Sequence, residues 1–170
     1  AAPIIGAATA TGSTTATVSF TAPASSGGST ILSYTATSNP GNITATITQA
    51  GSGTILVTGL SPATAYTFKI TALNSIESSL ASAASNSITT IGLENAPLFS
   101  SATSYDGQYT VQVTNYNPAF TYGVSTSAGT ITIDSTGLVT VRDLNSKQGA
   151  TISVTTSRTG YESGSATFTS

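Results

Sequence analysis

The groups that could do chemistry in this chain are few, and all can be named. Its 170 residues hold four Lys and Arg, six Asp and Glu, no His and no Cys. The charged side chains are Lys69, Glu77, Glu94, Asp106, Asp134, Arg142, Asp143, Lys147, Arg158 and Glu162. Without His and Cys, the common acid–base and nucleophile constellations cannot be built. A glycosidase-like carboxylate pair would need two of the six acids facing each other across a cleft. Most of those acids fall at expected turns or strand ends, where carboxylates cap backbone N–H groups. No catalytic residue and no cofactor site is expected, and the chain reads as a non-enzyme.

Calcium is the next chemistry to test. Asp106, Asp134, Asp143 and Glu162 all lie in the second half. A calcium loop wants clustered oxygen ligands, often as Asp-x-Asp, and here no two acids fall within two positions of each other. Asp134-Ser135-Thr136-Gly137 reads instead as a β-turn opened by an Asx residue. No metal site is expected. Asn42-Ile43-Thr44 fits the acceptor pattern for N-glycosylation, in a loop expected to be exposed. The Thr- and Ser-rich surface could also carry O-linked sugar.

Charge is scarce overall. Only 6% of residues are charged, against roughly 25% in an ordinary domain. Hydroxyl side chains do the solvating instead. Four basic residues are too few for a nucleic-acid surface or a polybasic membrane patch. No apolar run approaches the ~18 residues of a membrane span, so no membrane insertion is expected. There is no basic-then-apolar leader pattern at the start, which is Ala1. Met, Trp, His and Cys are absent. These include the most oxidation-prone side chains, a composition compatible with life outside the cell.

The elements that would carry these residues read as strands throughout. Ile4 and Ile5 open the first; Ala16, Val18 and Phe20 alternate in the second. Ile31 to Thr37 carries Tyr34, and Asn39-Pro40-Gly41-Asn42 is a turn. Strand signals return at Thr44 to Gln49, Thr54 to Thr58, Tyr66 to Asn74 and Ser85 to Thr90. In the corner Leu60-Ser61-Pro62-Ala63-Thr64-Ala65-Tyr66, a Pro-bearing turn runs into alternation, with Tyr66, Phe68, Ile70 and Ala72 on one face. Short strands spaced by turns predict an all-β sandwich or barrel. Ser78 to Ala84 is too short and polar for a helix, and no significant helix is expected.

Several features combine in residues 1–90: the entry at Pro3, Phe20 before Pro23, and Gly27-Gly28-Ser29 leading to Ile31 and Tyr34. Leu60-Ser61-Pro62 then leads to Tyr66, and Ala72-Leu73-Asn74 precedes a Ser-rich end. This half resembles a fibronectin type III domain of the bacterial kind. The family usually places Trp where this chain has Phe20. The resemblance implies that Leu60 and Tyr66 form a structural corner, the Tyr66 hydroxyl bonding backbone nearby. Some relatives bind receptors through Arg-Gly-Asp in the loop after the Tyr66 strand. Here that loop is Asn74-Ser75-Ile76-Glu77-Ser78-Ser79, so that activity does not carry over. Surface domains of this kind can hold Lys–Asn crosslinks. Lys69 lies between Phe68 and Ile70 and so faces outward, and Lys147 lies in a loop beside Asn145, so neither is a core lysine.

Residues 91–96 read as a short linker. Residues 97–170 are β again, with alternation at Tyr109/Val111/Val113, Phe120/Tyr122/Val124, Ile131/Ile133, Val139/Val141, Ile152/Val154 and Ala166/Phe168. The run Gly129-Thr130-Ile131, Thr136 to Val141 and Ala150 to Val154 is similar to bacterial immunoglobulin-like surface modules. The fold class is thus all-β, two consecutive antiparallel sandwiches, with no clean repeat between them.

The charges are uneven. Residues 1–90 contain only Lys69 and Glu77. Edge strands are usually guarded by charge, especially Lys, so neighbouring subunits or glycan are expected to cover the first half. The function expected is a structural or adhesive module of an extracellular assembly: a bacterial surface protein or filament, or a phage fibre or decoration. Its partners would be protein, through self-association or neighbouring subunits, with glycans as a further class, and not nucleic acid. It would reside outside the cell, on a cell surface or in a virion. The alternative is a spacer or carbohydrate-binding accessory of a secreted polysaccharide-degrading enzyme. Sugar binding wants exposed aromatics; Phe120 and Tyr122 fall at core positions, which leaves Tyr105, Tyr116 and Tyr161 as the platform.

Overall fold

The computed structural model describes residues 1–94, 96–145 and 148–170, and none of these is helical. Two compact units divide between Leu93 and Glu94. The first contains β1 (Ile4–Ala10), β2 (Thr15–Thr21), β3 (Ile31–Asn39), β4 (Thr44–Ile47), β5 (Gly53–Thr58), β6 (Ala65–Asn74) and β7 (Ile88–Thr89). These form two sheets, β1-β2-β5 and β4-β3-β6-β7, all pairs antiparallel. Alternation dictates what is buried. Tyr34 and Ala36 of β3, and Tyr66, Phe68, Ile70 and Ala72 of β6, point between the sheets, meeting Val18 and Phe20 of β2 and Ile55 and Val57 of β5. Phe20 fills its slot against Tyr34, ring centroids 4.3 Å apart.

The last strand of this unit differs from the sequence expectation of Ser85 to Thr90. Only Ile88 and Thr89 pair as a strand with β6. Ahead of them, Ser79, Ser82 and Ser85 bond β6 at every third residue. Each donates its backbone N–H to a β6 carbonyl, of Ala72, Ile70 and Phe68 in turn, at 2.7–2.9 Å. Each hydroxyl accepts the N–H of that same β6 residue, at 2.9–3.0 Å. Each hydroxyl then donates to the carbonyl of the residue that follows it. Three residues thus span the length of two in β6, where a regular strand would advance about 3.3 Å per residue. Side-chain oxygen takes the place of the missing backbone acceptor, which is why this Ala/Ser-rich stretch is neither helix nor ordinary strand.

Of the 91–96 stretch, Ile91 is bonded into the first unit, donating to Gly12 and accepting from Ala63. Asn95 lies outside the described residues.

The second unit contains β8 (Thr103–Tyr105), β9 (Gln108–Gln112), β10 (Thr121–Thr126), β11 (Thr130–Ile133), β12 (Leu138–Arg142), β13 (Thr151–Ser157) and β14 (Gly164–Thr169). Its sheets are β10-β13-β14 and β11-β12-β9-β8. Counted from β8, this puts strands 1, 2, 5 and 4 in one sheet and 3, 6 and 7 in the other, the order of a constant-type immunoglobulin sandwich. Tyr109, Val111, Val139, Val141, Ile152 and Val154 are its buried centre.

Phe120 departs from its expected place in that centre. It precedes β10 and is half-buried, its ring 5.4 Å from Tyr161 with the Arg158 guanidinium at 5.5 Å. It serves as the last residue of the turn that starts β10, so alternation begins one residue later.

Candidate functional site

The first candidate is the corner. Pro62 sets the turn that delivers Tyr66 to the start of β6, where it is buried. The Tyr66 hydroxyl accepts the Ser61 N–H at 2.9 Å. Leu60 is buried beside it and donates its own N–H to Thr14. These groups are spent on holding the chain, and no reactive atom faces outward.

The second unit repeats this chemistry. Asn117-Pro118-Ala119-Phe120-Thr121-Tyr122 matches Ser61-Pro62-Ala63-Thr64-Ala65-Tyr66 at the Pro, the Ala and the Tyr. The Tyr122 hydroxyl accepts the Asn117 N–H at 2.9 Å. Sequence reasoning missed this corner, although its signal, Pro-Ala followed three residues later by Tyr, stands in both halves. The two corners occupy different strands of their sandwiches, the sixth in one and the third in the other, so the motif recurs without a repeat of the fold.

The acids do not gather. Among the described residues no three form a metal-holding group. Asp134 closes its turn on itself, one carboxylate oxygen accepting from the Thr136 hydroxyl at 2.6 Å, the Thr136 N–H at 2.8 Å and the Leu138 N–H at 3.0 Å. These bonds, the Thr136 side chain first, hold its carboxyl below the ordinary value. Gly137 ends the turn with φ +84°, and a side chain there would strike the Tyr116 ring. Asp143, at φ +59°, takes the Thr130 hydroxyl at 2.6 Å. Glu94 is different. One oxygen receives the Thr156 hydroxyl, and the other is buried with no partner among the described residues. Burial first, and the Glu162 charge second, push its pKa up.

The remaining sequence candidates are scattered. Lys69 is exposed on the outer face of β6. Lys147 lies outside the described residues. Asn42 is exposed in its turn with φ +49°. In the 74–79 loop, the Asn74 side-chain oxygen accepts the Ile76 and Glu77 N–H groups, so the loop is a capped turn. The three platform tyrosines do not come together. Tyr116 stacks on Tyr122 at 4.7 Å, Tyr161 packs on Phe120 and Arg158, and Tyr105 stands alone, 78% exposed.

Each unit carries a hollow among its described residues. On the first, a groove of about 560 Å³ runs over the outer face of β3 and β6, lined by Thr37, Asn42, Thr67, Lys69 and the methyl groups of Ala81 and Ala84. On the second, a cleft of about 260 Å³ forms where the β8–β9 hairpin meets the segment after β12.

A family model described as the fibronectin type III domain matches residues 2–90. No curated protein matches the chain. Among solved structures, domains A168–A170 of titin align at 25% identity over 52% of this chain and 31% of that one, TM-score 0.44. The FN1–FN3 domains of chicken CNTN1 align at 18% identity over 98% of this chain and 66% of that one, TM-score 0.45. The chain therefore spans less than two thirds of the length of either.

Proposed function

As a member of the fibronectin type III domain family, this chain serves, we propose, as a structural or adhesive module of an extracellular assembly, working through contacts between neighbouring copies. Domains of this family are generally non-catalytic and commonly act in adhesion or spacing. The observation that carries the reading is the state of the sheet edges. In the first unit the β1 edge is closed internally: the Asn86 amide bonds both the N–H and the C=O of Ala8, at 2.8 and 3.0 Å. β1 is also interrupted between Ile5 and Ala8, and β4 is only four residues long. β5 lies beside β4, and β10 beside β11, at the flank of each sandwich.

β14 has none of these guards. Its six residues, Gly-Ser-Ala-Thr-Phe-Thr, carry no charge and no Pro, pair with β13 without interruption, and among the described residues have no strand on the other side. Such an edge is a template for another strand. The accessory-domain alternative is less favoured, because its aromatic row is dispersed.

Analytical ultracentrifugation of the whole chain tests the proposal. It should associate reversibly with concentration, and Ser165→Lys with Thr167→Lys on the exposed face of β14 should return it to monomer. A chain that stays monomeric at every reachable concentration would sink the idea.

A further inference from the structure

The open edge of β14 is specific enough to name its partner. Along a strand, each residue turns its N–H and C=O to one side and the next residue turns them to the other. Just past β14, Ser170 donates its N–H to the Ala150 carbonyl at 3.1 Å, toward β13. Thr151, opposite Thr169, turns the other way, its carbonyl accepting the Ser127 N–H at 2.9 Å on the β10 side. In step with Ser170, Phe168, Ala166 and Gly164 therefore face β13. Ser165, Thr167 and Thr169 turn their N–H and C=O groups to the side where, among the described residues, no strand lies. These open residues recur about every 6.8 Å. Their side chains are exposed on the outer face, while Gly164, Ala166 and Phe168 are half-buried on the inner one. Phe168 packs there on Phe99 and Tyr109, ring centroids 5.8 and 6.4 Å apart.

A strand laid on this edge must offer an open edge in return. Elsewhere in the chain the edges are short or guarded: β4 has four residues, β7 two and β8 three, and Asn86 occupies β1. β5 and β10 match β14 in length, but each lies beside the end strand of the facing sheet. β14 itself is the remaining match. Antiparallel pairing of β14 with its own copy has one register that uses the whole strand, centred on Thr167. Thr167 then meets Thr167 of the copy, and Ser165 meets Thr169 on either side of it. All of these are open residues, so each pair exchanges two backbone hydrogen bonds. Between them Ala166 falls opposite Phe168, a small side chain against a large one on the inner face. Moving the centre by two residues either way leaves only one of the three open residues paired within β14. Charge permits the contact as well. A twofold contact sets each group against its own copy, and residues 163–170 carry no charge. Glu94, beside Gly164, lies three residues from the centre. Its two copies would stand about 20 Å apart, beyond the ~8 Å screening length.

We infer that the partner of this edge is a second copy of the chain, paired antiparallel through β14 about a twofold axis at Thr167. The β10-β13-β14 sheet then continues across the axis into its copy. The inference rests on the proposed function, contact between copies at an open β14, and adds the partner strand, its direction and its register. Such a contact is closed, because each copy spends its β14 edge on the other. Association through this edge therefore stops at the dimer, which makes the pair the unit from which anything larger is built. On the outer face the axis is lined by hydroxyls, Thr against Thr at the centre and Ser against Thr on either side. Such cross-strand pairs hydrogen-bond, as the Thr151 and Thr169 hydroxyls do within one copy at 3.0 Å.

The chain has no cysteine, so one introduced thiol reports on one contact. In the whole chain, Thr167→Cys would lie about 5.5 Å from its own copy between Cα atoms, within the disulfide range of about 4.4–6.8 Å. Under mild oxidation it should run as a covalent dimer on non-reducing gels. Ser165→Cys and Thr169→Cys, each about 14 Å from its own copy, should cross-link at least tenfold more slowly when alone. Mixed together, they should link to each other at a rate comparable with Thr167→Cys. Ser165→Lys with Thr169→Lys sets like charges opposite each other and should raise the dimer dissociation constant about tenfold or more in ultracentrifugation. Ser165→Lys with Thr169→Glu sets opposite charges there and should restore it. Rapid linking of Ser165→Cys to itself would mean parallel pairing and would overturn the inference. Species larger than a dimer that the double lysine variant abolishes would overturn it too, because the edge would then be open-ended. Association with none of these links would overturn the register while leaving a chain that works through its copies. A chain monomeric at every reachable concentration would overturn both.

Discussion

β4 and β11 are four residues each, Thr-Ala-Thr-Ile and Thr-Ile-Thr-Ile, with the same alternation of exposure. Each is the fourth strand of its unit, yet β4 pairs with the strand before it and β11 with the strand after it. That single choice separates the two sandwiches. In the first unit the turn at 40–43 closes a hairpin, Ser38 donating to Ile43 at 2.9 Å and the Ser38 hydroxyl accepting the Ile43 N–H. In the second, the closing turn is Asp134 to Gly137, where Asp134 N–H meets the Leu138 carbonyl at 3.1 Å. The strands are interchangeable and the turns beside them are not. The lesson is that a short strand joins the sheet to which a turn with bonded ends returns it; length alone does not decide, since the three residues between β10 and β11 are fewer than the four between β11 and β12.

The largest effects should show whether the two units are separate folding bodies. Ile70→Ala and Ile152→Ala each empty a fully buried site and should cost about 2–5 kcal/mol. In calorimetry each should lower only its own unit's transition. One shared transition moved equally by both would break the comparison.

Next comes the serine ladder, which has no counterpart among the described residues of the second unit. Ser82→Ala leaves the Ile70 N–H buried without its acceptor and should cost about 1–3 kcal/mol in urea unfolding. Ser82→Thr, which keeps the oxygen, should recover part of that.

The corners follow. Tyr66→Phe removes the acceptor for Ser61 at a buried site and should cost about 1 kcal/mol. Tyr122→Phe, at a half-buried site, should cost less. Equal costs would mean that burial does not set the worth of the bond.

The smallest effects are those of two carboxylates with opposite signs. The folded Asp134 carboxyl titrates below its unfolded value, so its contribution is present above the unfolded pKa and is lost as pH falls through the folded one. The folded Glu94 carboxyl titrates above its unfolded value. It therefore binds more protons folded than unfolded, and stability falls as pH rises through that window. Asp134→Ala should destabilise at neutral pH and cease to matter in acid. Glu94→Gln should stabilise at neutral pH, the gain vanishing in acid. Denaturant midpoints at the two pH values check both signs.

Much of this was legible in the residues. Tyr66, Phe68, Ile70 and Ala72 announced a half-buried strand, and the Asp134 turn could be read from four consecutive residues. The serine ladder is not legible in the sequence, although Ser79, Ser82 and Ser85 recur at a period of three, because neither the helical nor the strand template has that period. Phe120 lies outside the core because it belongs to the turn, and the alternation of β10 begins only at Thr121. The cleft could not be seen at all: Tyr105 and Asp106 stand some forty residues from Asn145.

By itself the sequence determined most of the strands, the corner and the near absence of reactive groups, because each depends on side chains within about five residues of one another; the serine ladder before β7 and the short β8 depend on the strands they meet. Only the tertiary structure decided which sheet β4 and β11 join, that Asn86 closes the β1 edge while β14 stays open, and that the β8–β9 hairpin meets the segment after β12. Those outcomes are contacts between distant segments, and local alternation carries no information about which segment will arrive beside it.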